Sequence, residues 1–150
     1  MILPQTILRF IVISLICINV SCSEPEQKDH RIEFVEMMYG QQLQAENDKI
    51  FLILRNDGCK GCFQTVLKWT EIFSKCKKMV VIKSHRIDLT TFSKAEEIEL
   101  VTYNSPDFMR MDFGFEGSGV LFWHKGAMES VPIKYEEIES IEKRLTTACK

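Results

Sequence analysis

The segment spanning residues 50–62 constrains the fold of this chain more than any other part of the sequence. Residues 50–54, Ile-Phe-Leu-Ile-Leu, are a continuous apolar run of strand length, which is typical of a central strand buried on both faces of a sheet. Asn56-Asp57-Gly58 breaks the run. Cys59-Lys60-Gly61-Cys62 follows at once and opens a helix. The residues that share one face of this helix are Cys62, Val66, Trp69, Phe73 and Cys76.

Helices and strands alternate along the rest of the sequence. The apolar spacing predicts a helix over 32–47, a strand over 79–82, a hairpin of 120–123 and 128–133 around Lys125-Gly126, and a closing helix over 135–146. Pro132 places the second hairpin strand at or near a sheet edge. This order predicts an α/β three-layer sandwich with a mixed central sheet flanked by helices.

Three shorter segments of the sequence carry weaker signals. Residues 97–103 fit either a strand or a helix. Ser105 and Pro106 predict the start of another helix, as its cap and its first residue. Ser93 and Glu96 have the spacing of a capping box for a short helix.

The composition is that of one ordinary globular domain. Hydrophobic residues make up 45% and charged residues 27% of the 150 residues, which excludes a disordered or collagen-like chain. There are 19 Lys and Arg against 21 Asp and Glu. Because no basic surplus is available to neutralise a phosphate backbone, we expect no nucleic-acid partner.

The N-terminal segment has the features of an export signal. Residues 10–20 are an uncharged apolar run after Arg9. This run is shorter than the ~20 residues of a membrane-spanning helix and fits the ~7–15 residues of a signal-peptide core. Ser21-Cys22 then resembles a bacterial lipoprotein signal, which implies that Cys22 becomes the lipidated first residue. Ordinary cleavage near Ser21–Ser23 is the alternative, and both export the chain to a compartment where disulfides are allowed.

These signals divide the chain into three parts. We assign residues 1–21 to a lipoprotein signal peptide, residues 22–31 to a polar lipid-anchored linker, and residues 32–150 to the folded domain. The expected location is the cell envelope, with the domain anchored to the membrane through its lipid and facing the periplasm or the outside.

The Cys59-Lys60-Gly61-Cys62 motif carries the chemistry. A helix N-terminus offers unpaired N–H groups and a partial positive charge, so we predict that Cys59 has a depressed pKa and is the attacking sulfur. Lys60 adds a nearby positive charge. Cys62 is placed to attack the resulting mixed disulfide. We therefore expect a redox-active disulfide between Cys59 and Cys62.

From residue 32 to residue 146 the chain resembles the thioredoxin-like superfamily. The segments that match are the strand at 50–54, the C-x-x-C motif and its helix, residues 80–87, and the hairpin with its closing helix. Residues 100–113 look like the extra segment of the redoxin branch, which includes membrane-tethered thiol-disulfide oxidoreductases. The resemblance implies a thioredoxin-like fold without a cofactor, with Cys59 as nucleophile and Cys62 as resolving cysteine.

Ser118 marks a departure from that superfamily. Its members usually carry a cis-proline just before the hairpin strand, where it helps to position the substrate chain. Ser118 stands at this position between Gly117 and Gly119, which makes it a candidate substrate-loop residue. Many members also bury an acid on the first strand, and here Lys83 and His85 on the next strand are the candidates to assist proton transfer.

The sequence predicts an exported, lipid-anchored thiol-disulfide oxidoreductase. Its expected partners are envelope proteins with thiols or disulfides, an unidentified redox partner, and the membrane. One alternative is a non-catalytic thioredoxin-fold lipoprotein that binds a protein partner, with Cys59 and Cys62 in a structural disulfide. The other is a copper or zinc carrier, since two thiolates suit Cu(I). Small copper domains usually have a Met before the first Cys, and Asn56-Asp57-Gly58 does not match.

Two further cysteines receive structural interpretations. Cys76 lies on the apolar helix face, so we expect a buried, inert thiol. Cys149 lies at the end of the chain, where a bystander thiol is expected, with pairing to another thiol as the alternative. Apart from the carrier alternative at Cys59 and Cys62, no metal site is expected.

Overall fold

The computed structural model of the chain describes residues 29–57, 59–90 and 97–150. The helices and strands in chain order are α1 (His30–Tyr39), β1 (Lys49–Leu54), α2 (Lys60–Ile72), β2 (Met79–Ser84), β3 (Glu99–Tyr103), a 3₁₀-helix (Pro106–Arg110), β4 (Gly119–His124), β5 (Ala127–Pro132), a second 3₁₀-helix (Tyr135–Glu137) and α3 (Ile138–Ala148).

Some sequence predictions lie outside the described residues. They are the signal peptide at 1–21, the lipidated Cys22 with most of the linker, and the Ser93–Glu96 capping box. Within the described ranges, no helix combines the length and the apolar character needed to cross a bilayer.

The five strands form one mixed sheet in the order β3-β2-β1-β4-β5. β2 is parallel to β1 and β3 is parallel to β2, whereas β4 is antiparallel to β1 and β5 to β4. The predicted α/β architecture with a mixed sheet is confirmed. Residues 97–103, which the sequence left open, contain the edge strand β3, and Pro132 lies on the other edge strand as predicted.

Alternate residues of β1 enter two separate cores. Ile50, Leu52 and Leu54 pack on one face of the sheet, against α2 and α3. Phe51 and Ile53 pack on the other face, against α1 and the segment after β3. Each fully buried side chain of this size contributes about 1.5–3 kcal/mol to folding. Helices therefore cover both faces of the sheet, and β1 is buried on both sides as its apolar run predicts.

Helix α1 is shorter than predicted and begins earlier. The Asp29 carboxylate accepts a hydrogen bond from the Arg31 N–H at 2.9 Å and caps the helix. The helix ends at Gly40, whose φ of 71° is the left-handed conformation that favours glycine. The predicted end at Asn47-Asp48 is wrong because Gly40 stops the helix first. Residues 29–31, assigned to the linker, belong to the helix and its cap.

The helix predicted from Ser105 and Pro106 is a short 3₁₀-helix. Ser105 caps it as expected, since its hydroxyl accepts from the Asp107 N–H at 3.2 Å. The segment continues into Met111 and Phe113, which are buried against the α1 face of the sheet.

Cys76 and Cys149 form a disulfide, so the interpretation of Cys76 as an inert thiol and of Cys149 as a bystander is wrong, and the alternative of pairing for Cys149 is confirmed. Cys76 lies beyond the end of α2, and Cys149 is the cap residue at the end of α3. Both helices pack on the same face of the sheet, which brings their ends together with a Cα–Cα distance of 5.1 Å. The bond therefore joins two helix ends that are 73 residues apart in sequence.

Removal of this disulfide is expected to destabilise the domain substantially. In the chain-entropy model, a cross-link that closes a loop of this length contributes about 4 kcal/mol by restricting the unfolded chain. The double variant Cys76→Ala, Cys149→Ala should lose up to that amount in free energy of unfolding, measured by denaturant titration. Cys59→Ser serves as the control, since it removes an exposed thiol. An unchanged unfolding curve for the double variant would contradict the pairing.

Candidate active site

The Cys59-Lys60-Gly61-Cys62 motif follows β1 and forms the first turn of α2. Cys59 is the N-cap residue of α2, with extended φ and ψ of −70° and 113°. Its sulfur accepts a hydrogen bond from the Cys62 N–H at 3.2 Å, so it satisfies one of the unpaired donors at the helix start. The strand–motif–helix order predicted from the sequence is confirmed.

The two thiols have different surroundings. Cys59 is exposed, whereas Cys62 is half-buried, and both are free thiols. The Cys62 thiol lies 3.5 Å from the main-chain oxygen of Ile133 and donates to it. Ile133 follows the end of β5, so the hairpin contributes a wall to the site.

The same asymmetry appears in the proton affinities of the two thiols. Hydrogen bonds from the Cys62 side chain and from the Cys62 N–H lower the pKa of Cys59 below its usual range. Burial, followed by the hydrogen bond and the negative charge of Cys59, raises the pKa of Cys62 to about 11. The arrangement therefore favours ionisation of the exposed Cys59 sulfur before that of the half-buried Cys62 sulfur.

Two glycines lie close to Cys59 and to the loop that carries it. A Cβ atom added at Gly61 would meet only the Cys59 sulfur, at 3.7 Å. That surface is therefore open to an approaching chain. Gly117 has a φ of 70°, and a Cβ there would lie 2.7 Å from the Asp57 main-chain oxygen and 3.8 Å from the Cys59 nitrogen. A side chain at residue 117 would collide with the loop that carries Cys59.

Ser118 lies buried behind the same loop. Its hydroxyl accepts from the Arg55 N–H at 3.0 Å and donates to the Arg55 main-chain oxygen at 2.8 Å. The peptide bonds among the described residues are trans. The superfamily resemblance implies a cis-proline at this position. Here the residue is a serine in a trans peptide, and its hydroxyl bonds to the main chain of Arg55, which follows β1.

Arg55 is a site residue that sequence reasoning missed. It directly follows β1, and its side chain is only 7% exposed. Its guanidinium donates to the Asp57 carboxylate, to the Met111 main-chain oxygen at 3.0 Å and to the Met109 main-chain oxygen. A charged residue at the end of an apolar strand was the available signal.

A polar cleft of about 440 Å³ adjoins this arginine. Its lining residues are Arg55, Asp57, Met111, Asp112, Phe115, Glu116 and Gly117. The cleft lies beside the loop that leads to Cys59, because Asp57 and Gly117 belong both to its wall and to that loop contact.

The two candidates for proton transfer, Lys83 and His85, lie on β2 and directly after it. Lys83 is buried, and its ammonium donates to the Ile87 main-chain oxygen at 2.7 Å. His85 is exposed at the end of β2. Among residues 29–57, 59–90 and 97–150, no group of three or more His, Cys, Asp or Glu side chains could hold a metal ion.

Comparison with protein-family models, with curated proteins and with solved structures finds no match to this chain.

The two thiols should be alkylated in a fixed order. Because its pKa is lowered, Cys59 should react with iodoacetamide first, and its rate should reach half its maximum below the usual thiol pKa of about 8.5. Cys62 should react appreciably only as the pH approaches its raised value of about 11. Peptide mapping after brief alkylation across a pH series measures both rates. Equal labelling at neutral pH, or faster labelling of Cys62, would show that the roles are reversed.

Proposed function

We propose that this protein is an exported, lipid-anchored thiol-disulfide oxidoreductase with a thioredoxin-like domain. The observation that carries the proposal is the asymmetry of the two thiols at the start of α2. The exposed Cys59 sulfur is stabilised as a thiolate, and the half-buried Cys62 thiol keeps its proton against the Ile133 oxygen. A nucleophile and a second thiol to resolve the intermediate need this difference.

The sheet topology supports the thioredoxin-like part of the proposal. The unit β1-α2-β2 is parallel, and the hairpin β4-β5 lies antiparallel on the other side of β1. Helix α3 packs with α2 on one face of this sheet. These are the segments on which the superfamily resemblance rests, and they assemble around the dithiol.

The reaction proceeds by two exchanges. The Cys59 thiolate attacks one sulfur of a partner disulfide, which forms a mixed disulfide and releases the other partner sulfur as a thiolate that takes up a proton. Cys62 then loses its proton and attacks the Cys59 sulfur, which releases the second partner thiol. The partner is reduced by two electrons, and the Cys59–Cys62 disulfide is the oxidised product. The reverse sequence oxidises a partner dithiol.

The Cys76–Cys149 disulfide supports export. Such bonds persist in oxidising compartments and are rare in the cytosol of ordinary cells. It joins residues at the ends of α2 and α3, whereas the exposed Cys59 and the half-buried Cys62 lie at the start of α2. The cross-link of the fold is therefore separate from the C-x-x-C pair, which leaves Cys59 and Cys62 for exchange in this proposal.

Partner trapping tests the reaction directly. Cys62→Ser removes the resolving thiol and leaves Cys59 free to attack, so partner proteins should accumulate as covalent adducts in the native envelope. Non-reducing gels followed by mass spectrometry identify these adducts. The matched control Cys59→Ser, Cys62→Ser keeps the Cys76–Cys149 bond and should show no adducts.

Failure of trapping has a clear meaning. If Cys62→Ser forms no more adducts than the double variant, the oxidoreductase proposal fails and the binding-module interpretation takes its place. Metal analysis of the reduced wild-type protein tests the carrier alternative, for which bound copper or zinc at one equivalent is the required result.

Lipid anchoring gives a separate prediction. The mature membrane form should begin at Cys22 and carry a diacylglyceryl group on its thiol, since one acyl chain alone binds membranes only marginally. Intact-mass measurement of the purified membrane fraction detects the added lipid. A Cys22→Ala variant should lose it. A wild-type mass without lipid would contradict the anchor while leaving the redox proposal intact.

A further inference from the structure

We propose that Arg55 is a positioning residue that fixes the location of the Cys59 sulfur at the start of α2. This inference rests on the proposed function, because it assigns a residue to the same dithiol. Arg55 lies between β1 and the N-cap of α2, in the short connection that decides where Cys59 sits.

The guanidinium joins three parts of the chain. It donates to the carboxylate of Asp57 within its own loop, at 3.1 Å from Nε to Oδ1 and 2.6 Å from Nη2 to Oδ2. It also donates to the main-chain oxygens of Met109 and Met111, which end the first 3₁₀-helix. The planar fork of an arginine can hold a carboxylate and two carbonyls at once, which a lysine cannot do.

The main chain of Arg55 is held as well. Its N–H and its oxygen both bond to the Ser118 hydroxyl. At the adjacent Gly117, an added Cβ would lie 2.7 Å from the Asp57 oxygen and 3.8 Å from the Cys59 nitrogen, so only a glycine fits this close to the loop. Residues 55–57 are thus held by the Arg55 side chain from one direction and by residues 117–118 from the other. Loss of the guanidinium frees the loop on the side of the 3₁₀-helix.

The consequence for chemistry passes through one hydrogen bond. The Cys59 sulfur accepts from the Cys62 N–H at 3.2 Å only while Cys59 keeps its N-cap conformation. If the loop samples other conformations, that hydrogen bond lengthens on average and stabilises the thiolate less. Arg55 therefore acts on the sulfur through the geometry of the loop and does not touch the reacting atoms.

Arg31 provides a matched control within the same chain. It also bonds to a carboxylate two residues away, Asp29, and to the Met128 main-chain oxygen at 3.1 Å and the Ser130 hydroxyl at 2.7 Å. It ties α1 to the edge strand β5, and none of these partners belongs to the dithiol loop. Its removal costs comparable contacts without loosening Cys59.

The test measures the alkylation rate of Cys59 against pH in the reduced full-length protein. Arg55→Met should slow Cys59 alkylation at pH 7 by at least about threefold and move the midpoint of the pH profile upward. Arg55→Lys keeps the charge but not the fork, so its profile should lie between those of the wild type and Arg55→Met. Arg31→Met should leave the profile unchanged, although its thermal stability falls.

Three results would overturn the inference. They are a wild-type pH profile in Arg55→Met, an equal change in Arg31→Met, and full restoration by Arg55→Lys, which would indicate a charge effect alone. If Arg55→Met does not fold, the Ser118→Ala variant is tested instead, since it removes the hydroxyl that holds the Arg55 main chain. Its pH profile of Cys59 alkylation should also move upward, and an unchanged profile refutes the proposal.

The outcome is separable from that of the proposed function. Alkylation requires only the two thiols, whereas trapping requires a partner disulfide. A wild-type protein with an easily ionised Cys59 that traps no partner would refute the oxidoreductase activity and leave the role of Arg55 standing. If the Cys62→Ser variant traps partners but Arg55→Met keeps the wild-type pH profile, the oxidoreductase proposal stands and the role of Arg55 is refuted.

Discussion

Strand β1 contributes side chains to both cores, and the elements that shape the dithiol are attached to it directly. Its even-numbered residues pack under α2 and α3, and its odd-numbered residues between 50 and 54 pack under α1. Parallel pairing with β2 and antiparallel pairing with β4 hold it from both sides. Because β1 cannot shift by one residue without exchanging its two faces, its end is a fixed point from which Cys59 is presented.

The chemistry of the site follows from where that strand stops. The N-cap position gives the Cys59 sulfur a backbone N–H, and the first turn of α2 carries Cys62 under cover of the hairpin. One connection thus places an exposed sulfur with a lowered pKa beside a half-buried sulfur with a raised pKa. The Cys76–Cys149 bond lies beyond the other end of α2, so the disulfide that cross-links the fold is separate from the cysteine pair that we propose for exchange.

Features that depend on local order were predictable from sequence, whereas those that depend on distant packing were not. The apolar run, the hairpin and the thiol pair at a helix start were all read correctly from spacing. Gly40 is a visible stop signal in the sequence, but the predicted helix continued to Asn47-Asp48. In the structure α1 ends at Gly40. The pairing of Cys76 with Cys149 required knowing that α2 and α3 lie side by side. The burial of Arg55 required knowing that the segment after β3 folds over the loop.

The reduction potential of the Cys59–Cys62 pair tests the central claim most directly. Equilibration of the purified domain with glutathione or dithiothreitol redox buffers, followed by thiol trapping, gives its value. An exchange-active pair with a stabilised Cys59 thiolate should have a potential above about −300 mV, since a thiolate favours the reduced form. A potential well below about −300 mV would mean that the bond is a permanent structural disulfide, and it would contradict the proposal that this protein is an oxidoreductase.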